Sequence, residues 1–286
     1  MKEDTKGLEQ NLQGQVAIIT GGGRNIGRAI AQELARSGAK VVVIARTAEE
    51  IGETVRLIQQ EGGEAAAFRV DVTDRESVEG MVKKSEQQFG SVDLLVNNAA
   101  GLGSYGPIWH EDSDPDLWWR EVEINLRGPF LCSRAVLPSM MRRQTGRIIH
   151  VGSGIGAIKF ANISAYAASK AGLIKFAENL AEEVKEYGIK VFTIDPGLVR
   201  TAGHNRNIEA GIDDKWFGGV VQKWFAAGVD VPPTVAAMLV RRIAAGEVDA
   251  LSGCYLDVHD DLTAMVANVQ EIKAKELYTL RLRYPG

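Results

Sequence analysis

Short runs of β-branched and aliphatic residues alternate with longer amphipathic stretches along most of the chain. The first apolar run is Val16–Thr20, and apolar positions at helical spacing follow over 25–37, closed by Ser37-Gly38. Residues 41–45 form a second run without a polar break, as in a parallel strand buried on both faces. A helix is expected at 48–61, stopped by Gly62-Gly63, and a third strand at 65–70. Thr73 or Asp74 caps a helix over 74–89 that ends before Gly90, and 92–97 reads as strand four. The rhythm then repeats. Helices cover 114–143 with a break near Asn125; strand five is 147–152; a long helix runs over 164–187 to Gly188; strand six is Ile189–Asp195. Residues 198–228 interrupt the pattern and read as an inserted lid, before a helix at 233–245 and a last strand at 254–258.

Strands joined by helices of this length imply crossover units and one parallel sheet. The fold class expected is therefore α/β: a Rossmann-like, doubly wound, seven-stranded parallel sheet in a single domain with a lid insertion. That domain covers 14–260, with a flexible polar arm at 1–13 and a tail at 261–286 that is helical between 261 and 276.

Composition narrows the functional classes. The chain has 286 residues, 45% of them apolar, so it can bury a full core without disulfides or metals. A net charge of −4 with no Lys/Arg block points away from nucleic acid and membrane surfaces. No apolar run is long enough to span a bilayer, and the N-terminus lacks a signal-peptide pattern, so a cytoplasmic location is expected. Cys132 and Cys254 read as buried thiols, and neither they nor the four histidines have metal-ligand spacing, so no metal is expected.

Strand one runs directly into Thr20-Gly21-Gly22-Gly23-Arg24-Asn25-Ile26-Gly27, where a helix opens. Missing Cβ atoms let a pyrophosphate approach the backbone, and the helix N-terminus presents N–H groups and a partial positive charge to it. Asn25 is among the few non-glycine residues that tolerate positive φ. Strand two ends Ile44-Ala45-Arg46-Thr47. An acid there would hold the ribose hydroxyls of NAD; Ala45 provides none, while Arg46 and Arg24 suit a 2′-phosphate. NADP(H) is thus expected in preference to NAD(H).

Tyr166 and Lys170 are four residues apart, on one helix face. A nearby ammonium favours phenolate, so Lys170 is expected to lower the Tyr166 pKa toward a range useful for proton transfer. Ser153, thirteen residues before Tyr166, sits just past strand five, where its hydroxyl can steady a substrate oxygen.

Together these features resemble the short-chain dehydrogenase/reductase family. The family turn reads Thr-Gly-x-x-x-Gly-x-Gly, with Asn25 replacing its middle glycine here. Val96-Asn97-Asn98-Ala99-Ala100 is similar to the segment closing its fourth strand, Asp71-Val72 to its adenine-contacting pair, and Asp195-Pro196-Gly197-Leu198-Val199-Arg200-Thr201 to the segment meeting the carboxamide. The resemblance implies a catalytic tetrad of Asn125, Ser153, Tyr166 and Lys170, in which Asn125 breaks its helix and holds a water linking the lysine to solvent. It implies cofactor contacts from Gly21, Gly23, Arg24, Asn25, Ile26, Gly27, Arg46, Thr47, Asp71, Val72, Asn98, Ala99, Ala100, Tyr166, Lys170, Pro196, Gly197, Val199 and Thr201. It further implies carbonyl reduction or alcohol oxidation by hydride transfer. A homodimer or homotetramer through the helices of Asn125 and Tyr166 would follow the family habit, whereas Leu256-Asp257-Val258-His259 departs from the family's usual Val-Asp-Gly-Gly-like end.

Trp216, Phe217, Trp224 and Phe225 form either an apolar wall over an aromatic or apolar substrate or a packing contact of the lid. Trp109, Trp118 and Trp119 form either a second wall of the site or, as favoured here, a packing contact on helices; His150 is expected in the core, and His204 in the lid, with substrate contact as its alternative role. Two other functions compete: a catalytically idle dinucleotide-binding sensor or scaffold, and epimerase or dehydratase chemistry on the same frame.

Overall fold

Alternate residues of the first strand, β1 (Val16–Thr20), point to opposite faces, and both faces are buried. The computed structural model describes residues 12–282. After β1 come α1 (Asn25–Arg36), β2 (Lys40–Ala45), α2 (Ala48–Gln60), β3 (Ala65–Arg69), α3 (Arg75–Phe89) and β4 (Leu94–Asn97). The second half holds α4 (Pro115–Val122), α5 (Gly128–Arg143), β5 (Gly146–Val151), α6 (Ser164–Glu183) and β6 (Ile189–Asp195). It continues with α7 (Ala202–Glu209), α8 (Ile212–Phe217), α9 (Val220–Ala226), α10 (Pro233–Ala244), β7 (Tyr255–Asp257), α11 (Leu262–Ala267) and α12 (Val269–Ala274).

Ala17 and Ile19 of β1 join one apolar cluster with Ile30 and Leu34 of α1, Ile58 of α2 and Val240 of α10. Val16 and Ile18 join the opposite cluster with Met81 of α3, Val136 of α5 and Leu180 of α6. The sheet is sandwiched between these layers, which is why its strands read as continuous apolar runs. All pairings are parallel, in the order β3-β2-β1-β4-β5-β6-β7. The order reverses between β1 and β4, and a crevice opens there at the carboxyl ends of the strands.

Asn125 lies in a π-helical turn, Glu123–Arg127, that joins α4 to α5 and marks the expected break. The helix expected to reach 187 instead ends at Glu183, and its last turn tightens over Lys185–Tyr187 before Gly188 at φ 68°. Residues 198–228 carry three short helices, punctuated by left-handed Gly211, Gly218 and Gly219. The tail helix is interrupted at Asn268, and the tail then returns so that the Tyr278 carbonyl accepts the N–H of Tyr255 beside β7. The arm expected at 1–13 lies outside the described residues as far as 11, as do tail residues 283–286. Leu12 is buried and donates its N–H to the Ser37 carbonyl at 3.0 Å, so the fold begins earlier than the hydropathy pattern placed it. Among the described residues no helix is long and apolar enough to cross a membrane.

Candidate active site

The turn after β1 is shaped by two requirements of the backbone. Asn25 has φ 48°, the left-handed conformation that Asn tolerates. A Cβ on Gly27 would lie 2.3 Å from the Gly21 carbonyl oxygen, so no other residue fits there without moving the turn. Distant side chains then lock it. Thr54 of α2 donates to the carbonyls of Gly22 and Gly23 at 3.0 and 3.2 Å. Arg28 donates to Thr54 Oγ1 at 3.0 Å and to the Gly23 carbonyl. Asn98 Nδ2 donates to Thr20 O at 2.9 Å, so this expected cofactor residue also braces the turn. Residues 28 and 54 were not singled out from sequence; only their chemistry, not their spacing, hints at the role.

No side chain caps the first turn of α1, which leaves its N–H groups available to an anion. A cavity of about 770 Å³ runs from there along the strand ends. Its walls include Gly21, Gly23, Arg24, Asn25, Ile26, Gly27, Arg46, Thr47, Asp71, Val72, Asn98, Ala99, Ala100, Pro196, Gly197, Val199 and Thr201. Its other half is lined by Ser153 and Tyr166. The uncapped helix end and the bare turn fit the diphosphate of a dinucleotide.

At the end of the cavity beside β2, Arg46 is exposed and, among the described residues, has no ion pair. Arg24 is paired: its Nη1 meets Glu50 Oε1 at 3.2 Å, because α2 brings that carboxylate to the turn. Asp71 Oδ2 accepts Arg120 Nη2 at 2.7 Å, and Oδ1 accepts the Thr73 hydroxyl at 2.7 Å. Burial raises the Asp71 pKa, but the bonds from Thr73 and Arg120 outweigh it and hold the carboxyl below its ordinary value.

At the end of the cavity beside β5 and α6 the four expected residues form two layers. Tyr166 and Ser153 face the cavity. Lys170 and Asn125 lie buried behind them. Lys170 Nζ is 5.5 Å from the Tyr166 ring centroid and donates to the Val151 carbonyl at 2.7 Å. The Asn125 side chain clasps Gly101, accepting its N–H at 2.8 Å and donating to its carbonyl at 2.9 Å, and donates to Ser169 Oγ at 3.1 Å. That clasp is what holds the π-helical turn against the loop after β4.

The expected depression of the Tyr166 pKa is reversed. Burial pushes the phenol up to about 12, against the lowering effect of Ser153. Burial also pulls Lys170 down to about 8, while Asp195 and Glu121 act to raise it. The sequence displayed the ammonium but not the depth at which both groups sit.

Two carboxylates escaped the sequence reading. Glu121 is buried, and its Oε2 accepts the N–H groups of Gly103 and Ser104, each at 2.9 Å. Its place four residues before Asn125, on the same helix face, was the available signal. Asp195 lines the cavity and accepts the Tyr255 hydroxyl at 2.8 Å.

The aromatic residues of the 198–228 segment divide between both roles. Phe217 and Trp224 line the cavity and meet Phe160 at centroid distances of 5.6 and 6.0 Å. Trp216 packs on His110 at 4.9 Å, and Phe225 on His204 at 5.6 Å. His204 lines the cavity and also caps α7 with Thr201. His150 is in the core, bonded to Asn97 Nδ2 at 3.2 Å, and burial pushes its pKa down to about 3. The packing expected of the other tryptophans holds for Trp118, whose indole donates to Ser164 at 3.0 Å. Trp119 meets the Trp118 ring at 4.9 Å but is 62% exposed, and Trp109 is 81% exposed, so neither is buried by that packing. Cys132 and Cys254 are free and buried.

With this geometry in hand, comparison with known proteins is informative. Residues 15–211 match the family model for short chain dehydrogenases. A short chain dehydrogenase of Pseudocercospora fijiensis is 41% identical over 68% of this chain and 62% of its own length. The matched part therefore spans under two thirds of that relative. The 3-oxoacyl-(acyl-carrier-protein) reductase FabG of Vibrio cholerae is 40% identical over 67% of this chain and 76% of its own. Among solved structures, a variant of actinorhodin polyketide ketoreductase with NADPH superposes with a TM-score of 0.79 at 30% identity, covering 87% of this chain and 97% of its own.

Proposed function

The chain belongs to the short-chain dehydrogenase family, and from that premise we propose that it is an NADP(H)-dependent reductase of carbonyl compounds, able to oxidise the corresponding alcohols. The observation that carries the reading is one wall of the cavity: Ser153 and Tyr166 both line it, with the Lys170 ammonium 5.5 Å from the centre of the phenol ring.

A bound nicotinamide supplies the hydride. The chain's part is to hold the carbonyl and deliver a proton. The Ser153 hydroxyl donates to the carbonyl oxygen and steadies its growing charge. The Tyr166 phenol, with its pKa pushed to about 12 by burial, keeps its proton at neutral pH and can give it to the far more basic alkoxide oxygen. Lys170 stabilises the phenolate that remains, and through Asn125 the π-helical turn keeps the adjoining loop in place. Phe160, Phe217 and Trp224 make the substrate end apolar and aromatic, which favours a carbonyl compound of like character.

Support for NADP(H) over NAD(H) comes from Ala45, which puts no carboxylate at the end of β2, and from the exposed Arg46 beside it. The exposed Arg24–Glu50 pair is weak enough to yield to a phosphate. Arg46→Asp is expected to weaken NADPH binding about ten- to a hundredfold, the worth of a charge-assisted bond. NADH binding should be little changed in a fluorescence titration; equal losses would overturn the preference. The exposed Leu117, Trp119 and Phe130 along α4 and α5 favour a homodimer or homotetramer, and the two free buried thiols are in keeping with a reducing, cytoplasmic setting.

The decisive variant is Tyr166→Phe, assayed for NADPH oxidation with a panel of ketones and aldehydes. Loss of a proton donor predicts a fall in kcat of about 10²- to 10⁴-fold with NADPH affinity retained. A variant as active as the wild type would remove Tyr166 from the mechanism; a wild type idle toward every carbonyl would favour a sensor or scaffold.

A further inference from the structure

The Lys170 ammonium is fully enclosed and has one hydrogen-bond acceptor among the described residues, the Val151 carbonyl. A lysine head group carries three donors and a full charge, so burial of this kind calls for a counter-charge. The sheet register shows where one stands. Val151 of β5 is paired with Ile194 of β6, and the Gly152 N–H donates to the Ile194 carbonyl at 2.7 Å. Asp195 is the next residue, at the same sheet edge as the Gly152-Ser153-Gly154 turn.

Asp195 and Tyr255 lie against that turn. A Cβ on Gly154 would lie 2.9 Å from Asp195 Oδ2, and one on Gly152 would lie 3.3 Å from the Tyr255 ring. The serine turn therefore rests directly on an Asp195–Tyr255 pair. Asp195 Oδ1 accepts the Gly197 N–H at 3.0 Å and Oδ2 accepts the Tyr255 hydroxyl at 2.8 Å. Burial, then the neighbouring Asp195, push the Tyr255 phenol well above its ordinary pKa, so Tyr255 remains the donor and the negative charge stays on Asp195.

We propose that Asp195, anchored by Tyr255, is a positioning residue whose negative charge keeps Lys170 an ammonium beside Tyr166, and so sets the upper pH limit of the site. Its bearing on catalysis rests on the reductase reading above; its effect on Lys170 does not. The charges of Asp195 on β6 and Glu121 on α4 act on the ammonium, His150 on β5 feels it in turn, and Tyr166 stands one turn away on the same helix with its ring centroid 5.5 Å from Nζ. Asp195 is the larger of the two influences that raise the Lys170 pKa, ahead of Glu121. Glu121 is committed to the Gly103 and Ser104 N–H groups, and burial raises its own pKa, which makes it the weaker counter-ion. Beyond Tyr255 stands Asp257, which acts on that phenol and not on Lys170.

The sign follows from Coulomb's law. Removing a negative charge makes the ammonium harder to keep, so the Lys170 titration, at about 8, moves to lower pH. The test is an NMR titration of the full chain labelled with carbon-13 at the lysine ε-carbons, with the Lys170 signal assigned by its loss in Lys170→Met. Asp195→Asn is expected to lower the midpoint by about one pH unit, the low end of the effect of a close charge. Asp195→Ser, which removes the charge with a smaller side chain, should do the same, and so serves if the first variant does not fold. Tyr255→Phe keeps the charge and should leave the midpoint close to the wild-type value. An unchanged midpoint in a folded Asp195 variant overturns the proposal, and so does an equal fall in Tyr255→Phe, which would make the hydrogen-bonded scaffold the cause. The titration needs neither cofactor nor turnover. If the midpoint falls but no carbonyl is reduced, the charge assignment stands and the reductase reading fails.

Discussion

At the glycine-turn end of the cavity, the carbonyls of Gly22 and Gly23 are gripped by Thr54 and Arg28. At the other end, Phe217 and Trp224 are held by ring contacts to Phe160, on helices of six and seven residues. Hydrogen bonds to backbone have one good geometry, whereas apolar rings tolerate many packings. The contrast suits the two ligands. A dinucleotide always presents the same diphosphate, so its cradle is rigid, while the substrate end can be re-shaped without disturbing it.

Gly27→Val is the strongest challenge to that division. With the Gly21 carbonyl 2.3 Å from the added Cβ, the turn has to shift. Overpacking is expected to cost about 1–3 kcal/mol in a denaturant melt, and NADPH binding should be lost with it. Normal affinity in this variant would show that the cradle is as adaptable as the lid. Trp224→Ala is the milder counterpart. The ring is half-buried, so its removal forfeits about 1 kcal/mol of apolar contact. That should raise KM for aryl ketones roughly fivefold, with the melting temperature and NADPH affinity close to wild type. A loss of cofactor binding in Trp224→Ala would mean that the two ends are not independent.

The same contrast explains what could be read from the chain. Strands, the glycine turn and the break at Asn125 are local patterns, and each appears where hydropathy and spacing place it. Asn25 at φ 48° meets the expectation for the one non-glycine residue in its place. Interactions between distant residues were not legible. Thr54 and Glu50 reach the turn across about thirty residues, and Asp195 meets Tyr255 sixty residues on. No spacing rule connects such positions; only the strand order does. The phenol pKa failed for a related reason, since the i, i+4 spacing reveals the partner charge but not the burial that outweighs it. Within the 198–228 segment, the aromatic residues were visible but not their division between cavity wall and outer packing.

The central claim is that this cavity brings a carbonyl to a proton-holding Tyr166 beside a nicotinamide. Its most direct test is the fate of a label: wild-type protein, NADPH deuterated at the transferable ring position, and an aryl ketone, with the product analysed by mass spectrometry. The account predicts one deuterium on the carbinol carbon of the alcohol formed. Turnover of the ketone into any product without that label, or labelled alcohol formed by Tyr166→Phe at the wild-type rate, would contradict it.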